Sequence, residues 1–75
     1  MQQARSYAAV MVAHYQAKLE EQEEQLRYAE AYQGPLVMQT AANGEYIDAT
    51  PAYKDGLRRA IKDYREIIAD WSARN

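Results

Sequence analysis

The first part of the chain repeats its apolar positions with the period of an α-helix. Residues from about 3 to 33 include neither proline nor glycine, and strong helix formers such as alanine, glutamate and glutamine dominate them. Gly34 and Pro35 follow as a stop signal. We therefore predict a helix over about 3–33, roughly 45 Å long. Its inner stripe, at spacings of three and four, comprises Ala4, Ala8, Met11, Tyr15, Leu19, Gln22, Leu26 and Ala29.

The segment from about 36 to 49 has the signals of a β-hairpin. Asn43-Gly44 is a strong turn signal, because both residues tolerate the positive φ of a type I′ turn. Pairing outward from a two-residue turn sets Thr40 opposite Ile47. One face then collects the apolar residues, and we expect it to pack on the helices because an isolated hairpin is marginally stable in water. That face comprises Leu36, Met38, Thr40, Ile47 and Ala49.

A second helix is predicted over about 51–73, with Thr50 as its N-cap and Pro51 in its first turn. Its apolar stripe is the strongest amphipathic pattern in the chain. Gly56 lies inside this helix at a cost of about 1 kcal/mol relative to alanine, and close approach of another backbone is one reason for a glycine there. The stripe comprises Tyr53, Leu57, Ala60, Ile61, Tyr64, Ile67, Ile68 and Trp71.

Together these elements predict one domain over 1–75 of the α+β class, mostly helical, with two antiparallel α-helices joined by a short β-hairpin. Short connections make the two helices neighbours. Because the first predicted helix is longer than the second by about seven to ten residues, we expect its N-terminal end to overhang.

Composition predicts a thin core that other chains complete. Hydrophobic residues make up 48% of the 75 residues, but 14 of them are alanine and 7 are tyrosine, and only 11 are leucine, isoleucine or valine. A core of this size rarely supplies more than about 3–5 kcal/mol, and without cysteine no disulfide can add to it. We therefore expect a homo-oligomer or a complex. No stretch approaches the roughly 18–20 apolar residues of a membrane span, so no membrane partner is expected.

The residue types give little support to catalysis, so we predict that the protein is not an enzyme. The sequence has no cysteine, two serines and one histidine, which leaves no pattern for nucleophilic catalysis. A single histidine also cannot fill a zinc site, and we predict neither a metal nor a cofactor. The glutamates at 20, 21, 23 and 24 point in several directions on a helix, which favours a solvated acidic face.

Aromatic and apolar residues on the first helix form one candidate contact surface. They continue into the expected overhang, where the second helix offers no partner, and exposed apolar patches with tyrosine are typical of association sites. The alternative is that these residues widen the internal core. The candidate residues are Tyr7, Val10, Met11, His14, Tyr28 and Tyr32.

A basic row on the second helix has two interpretations. Lys54, Arg58, Lys62 and Arg65 recur at spacings of four, four and three. Either neighbouring acids offset them, including Glu23 or Glu30 of the antiparallel helix, or the row contacts an acidic protein surface or phosphates. With a net charge of −2, direct nucleic-acid binding is not expected, and a DNA-binding regulator would have to show steeply salt-dependent affinity.

Three segments resemble a known family: LEEQEEQL at 19–26, VMQTAANGEYIDAT at 37–50 and LRRAIKDY at 57–64. In order and length they are similar to the gpW-like head-completion (head–tail joining) proteins of tailed phages, over about residues 18–71. The resemblance implies a non-enzymatic structural adaptor that assembles in a ring under the portal and contacts portal, neck or tail proteins in the virion. The alternative is a small acidic anti-defence protein that binds and inhibits a host protein in the host cytoplasm.

Overall fold

The computed structural model describes residues 6–74, which form two long helices with a short hairpin between them. In chain order these are α1 (Tyr7–Ala31), β1 (Met38–Thr40), β2 (Tyr46–Asp48) and α2 (Thr50–Ala73). The helices pack side by side over most of their length, and β1 and β2 form an antiparallel two-stranded sheet. The predicted fold class, α+β and mostly helical, is confirmed.

Helix α1 begins at a capped turn. Ser6 is the N-cap, with extended backbone, and its Oγ accepts a hydrogen bond from the Ala9 N–H at 3.1 Å. The predicted start near residue 3 lies outside the described residues. The helix ends at Ala31, two residues earlier than predicted, because Tyr32 adopts an extended conformation. Gly34, with a φ of +119°, then turns the chain towards the hairpin.

The core is a narrow seam between the helices and the base of the hairpin. Only five of the described residues are buried: Ala29, Ala49, Thr50, Leu57 and Ile61. The other members of both predicted stripes that the structure describes are half-buried, except Tyr53, which is 36% exposed. The apolar periodicity of both helices therefore predicted the inner faces correctly, and the seam is as thin as the composition indicates.

Helix α2 runs alongside the whole described length of α1, so the predicted overhang is wrong for these residues. The two helices are of nearly equal length, 25 and 24 residues. The Tyr7 ring contacts the Trp71 ring edge to face at 5.4 Å, and Tyr15 and Tyr64 lie 5.9 Å apart further along the seam. Within the described residues α1 spans only Tyr7–Ala31, between the Ser6 cap and the extended Tyr32, and this length matches that of α2.

The hairpin pairs one residue out of the predicted register. Met38 lies opposite Asp48, Gln39 opposite Ile47 and Thr40 opposite Tyr46. Ile47 therefore shares a face with Gln39 and not with Met38, since a slip of one residue moves side chains to the other face.

The turn explains why the observed register differs from the predicted one. The Ala41 N–H donates to the Glu45 carbonyl at 2.7 Å, and the Gly44 N–H donates to the Ala41 carbonyl at 2.9 Å, which closes a three-residue loop. Gly44 has a φ of +85°, whereas Asn43 does not adopt positive φ and its Oδ1 accepts from the Glu45 N–H. A type I′ turn needs both central residues at positive φ, so the chain forms the three-residue alternative with glycine in the left-handed position.

The two interior glycines predict opposite effects of alanine. At Gly44 the positive φ is unfavourable for a residue with a Cβ, so Gly44→Ala is expected to lower the free energy of unfolding by about 1 kcal/mol. At Gly56 the backbone is helical and a Cβ would meet no atom within 4 Å, so Gly56→Ala is expected to raise it by about 0.5–1 kcal/mol. Urea unfolding of both variants measures these changes in the free energy of unfolding. Changes of the same sign in the two variants would contradict the assigned turn.

Candidate protein-contact surface

The hairpin presents large apolar side chains to solvent on both of its faces. All six residues of β1 and β2 are exposed, with 47% of Met38, 76% of Tyr46 and 51% of Ile47 accessible. Met38 and Tyr46 lie on one face and Ile47 on the other, as the register requires. The expectation that one face packs on the helices is therefore wrong for the strands, and only the base of the hairpin is covered.

Thr50 fixes the base of the hairpin to the start of α2. Its Oγ1 accepts hydrogen bonds from the Leu36 N–H at 2.8 Å and the Val37 N–H at 3.2 Å. The Ala49 N–H donates to the Val37 carbonyl at 2.8 Å and extends the pairing below the strands. Thr50 is 5% exposed, and Leu36 and Val37 are half-buried. The hairpin thus leaves the helices from a defined position.

Asp48 completes this junction from the end of β2. The adjacent Thr50 hydroxyl and the Thr50 N–H, which donates to Oδ1 at 2.9 Å, lower the pKa of the Asp48 carboxyl, and the charge of Lys54 acts in the same direction. The predicted cap is corrected here. Ala49 is the N-cap residue of α2 and has no side-chain capping bond, while Thr50 is the first helical residue and directs its hydroxyl to the preceding loop.

The outer edges of the hairpin have no strand partner among residues 6–74. The sheet of the described residues consists of β1 and β2, and each strand is three residues long. Neither strand carries lysine or proline, residues with which proteins commonly protect free edges. The shortness of the strands limits pairing with other chains, but both edges and both faces are open to a partner among residues 6–74.

The candidate aromatic surface on α1 lies mostly on its exposed side. Tyr28 and Tyr32 stack at 6.1 Å between ring centroids and are 66% and 45% exposed. His14 is exposed and meets the Tyr15 ring edge to face at 5.1 Å. Tyr7 and Val10 are also exposed, while Met11 is half-buried on the inner stripe. Five of the six candidates therefore remain accessible.

Two members of the basic row are offset by acids. Arg58 forms ion pairs with Asp55 at 2.9 Å and with Glu30 at 3.7 Å, and Arg65 pairs with Glu23 at 2.9 Å. The interpretation that neighbouring acids offset the row is confirmed for these two arginines. These groups are exposed except Glu23, which is half-buried, so each pair contributes about 0.2–1 kcal/mol at most. Lys54 is half-buried near Asp48, and Lys62 has no ion pair within the described part of the chain.

The described residues show neither a metal-binding cluster nor a membrane-spanning helix. Between residues 6 and 74 no three or more histidine, aspartate or glutamate side chains come together to hold a metal ion. None of the helices described is long and apolar enough to cross a membrane.

Comparisons with protein-family models, with curated proteins and with solved structures find no significant match to this chain. The resemblance to head-completion proteins therefore stays a prediction.

The assumed register placed Met38 and Ile47 in the core, so both were missed as surface residues, whereas it already placed Tyr46 on the opposite face. A signal was present: Ala42 before Asn43-Gly44 allows a three-residue loop, and that loop puts Met38 and Ile47 on opposite faces.

Exposed hairpin residues are expected to matter little to folding of the isolated chain. Tyr46→Ser and Ile47→Ser should each change the free energy of unfolding by no more than about 0.5 kcal/mol, as is usual for exposed positions. Leu57→Ala, at the buried seam, should lower it by about 2 kcal/mol or more. Urea unfolding followed by circular dichroism compares them, and a large loss for Tyr46→Ser would show that the hairpin packs internally.

Proposed function

We propose that the chain is a non-enzymatic structural adaptor that acts in several copies through protein–protein contacts. The observation that carries the proposal is the hairpin, which presents Met38, Tyr46 and Ile47 to solvent while Thr50 holds its base in place. Large exposed apolar side chains on a positioned element are typical of contact surfaces.

The hairpin suits a partner protein that contacts both its free edges and its exposed faces. Main-chain groups on its free edges can pair with a strand of the partner, and side chains on the two faces supply contact area and selectivity. The thin seam adds a second reason, because a chain of this size gains stability from every surface that a partner buries.

The specific form of the proposal follows the resemblance to head-completion proteins of tailed phages. The order helix, hairpin, helix and the position of Asn43-Gly44 support it. In that setting the chain is part of a ring beneath the portal, its partners are portal, neck or tail proteins, and it is located in the virion. Direct binding of nucleic acid is not part of the proposal, since two arginines of the basic row are paired with acids.

A second candidate function is inhibition of a host protein in the host cytoplasm. It is favoured by Glu20, Glu21 and Glu24, which are exposed and form no ion pair within residues 6–74, whereas Glu23 and Glu30 do. Unpaired carboxylates on one side of α1 would complement a basic surface on the partner.

The test is mass spectrometry of phage particles purified from a culture that expresses the chain. The adaptor proposal predicts several copies per particle for the wild type and for Gln39→Ser, a control on the same hairpin. The double variant Tyr46→Ser/Ile47→Ser should fall at least tenfold in occupancy, because it loses contact area without losing the fold.

Absence of the wild-type chain from particles would contradict the adaptor. If the chain is instead recovered in a one-to-one complex with a single host protein, the second candidate replaces it. Reversal of Glu21 and Glu24 to lysine should then break that complex, while the hairpin variant should leave it intact.

A further inference from the structure

The outer face of α1 is a regular row of exposed positions beside the seam with α2, which it joins at Tyr7, whose ring meets Trp71. Its positions recur at alternating spacings of three and four over the whole helix, and every one of them is exposed. This outer face comprises Tyr7, Val10, His14, Ala17, Glu21, Glu24, Tyr28 and Ala31. A repeat of seven residues is the spacing at which two helices keep one face in continuous contact.

Read in the opposite direction, the outer face complements itself. In an antiparallel pair of α1 helices centred near residue 19, each outer-face position of one copy lies opposite an outer-face position of the second copy. Tyr7 then meets Ala31 of the second copy, and Val10 meets Tyr28, so that large side chains lie against smaller ones. In the middle, His14 meets Glu24, a donor against a carboxylate, and Ala17 leaves room for Glu21.

We propose that the outer face of α1 binds the same face of a second copy in this antiparallel register. A parallel pair is disfavoured by charge, because it would set Glu21 against Glu21 and Glu24 against Glu24. The antiparallel pair instead forms two His14–Glu24 contacts, one on either side of the dimer axis.

This pairing deepens the proposed function, on whose self-association it rests, and it leaves the hairpins free. Each hairpin follows the C-terminal end of its own α1, so the antiparallel pair carries its two hairpins at opposite ends, separated by about the 37 Å length of α1. The dimer would therefore present two partner-binding elements. Loss of the dimer and loss of partner binding can be measured separately.

The first experiment is charge reversal followed by sedimentation equilibrium, from micromolar to millimolar chain. Glu24→Lys should raise the dimer dissociation constant at least tenfold, because it removes the acceptor for His14. The double variant His14→Glu/Glu24→Lys should restore it to within about threefold of the wild type, since each pair is then rebuilt with reversed roles. Glu66→Lys, the same change at an exposed position of α2, should leave the constant unchanged.

A wild-type chain that stays monomeric throughout this range would overturn the pairing while leaving the hairpin proposal standing. Failure of the double variant to recover would overturn the register. Circular dichroism of each variant ensures that a change reflects association and not unfolding.

The second experiment tests the relative direction of the two α1 helices by cysteine cross-linking. Because the sequence has no native cysteine, only the introduced cysteines can form disulfides. Chains carrying Val10→Cys and chains carrying Tyr28→Cys are oxidised separately and as a mixture. The antiparallel register predicts a disulfide-linked dimer in the mixture at several times the yield of either chain alone. Val10→Cys chains that cross-link best to one another would show a parallel pair and overturn the proposal.

Discussion

The Thr50 hydroxyl is the constraint on which the placement of the hairpin depends. A threonine hydroxyl can accept two hydrogen bonds, and both are used here, since the Leu36 and Val37 N–H groups donate to it. Because Thr50 is also the first residue of α2 and its N–H donates to Asp48, one buried residue joins the segment that enters the hairpin, the end of β2 and the second helix.

The rest of the structure follows from how little else is buried. Two helices of similar length meet along a seam of small, aliphatic and aromatic residues, and the strands beyond the Thr50 junction are exposed. An isolated two-stranded hairpin is marginal in water, so its fixed base is what keeps the exposed residues in one arrangement. A partner that binds the hairpin therefore meets a positioned surface and avoids part of the ordering cost.

The sequence predicted the features that depend on periodicity and missed those that depend on single dihedral angles or hydrogen bonds. Both inner stripes were predictable because apolar residues recur at helical spacing, and the arginine ion pairs because antiparallel helices bring Glu23 and Glu30 beside the basic row. The hairpin register was not, since it depends on whether Asn43 adopts positive φ. Thr50 before Pro51 fits an N-cap equally well, so its actual partners in the loop were hidden.

The most direct test of this account is residue-resolved amide hydrogen exchange by NMR on the wild type, Thr50→Val and Thr50→Ser. Valine keeps the shape without the hydroxyl, so the amides of Leu36, Val37 and Ala41 should exchange at least tenfold faster relative to that of Ile61. Serine, which keeps the hydroxyl, should preserve their protection. Unchanged protection of the hairpin in Thr50→Val would contradict the claim that this hydroxyl holds the hairpin in place.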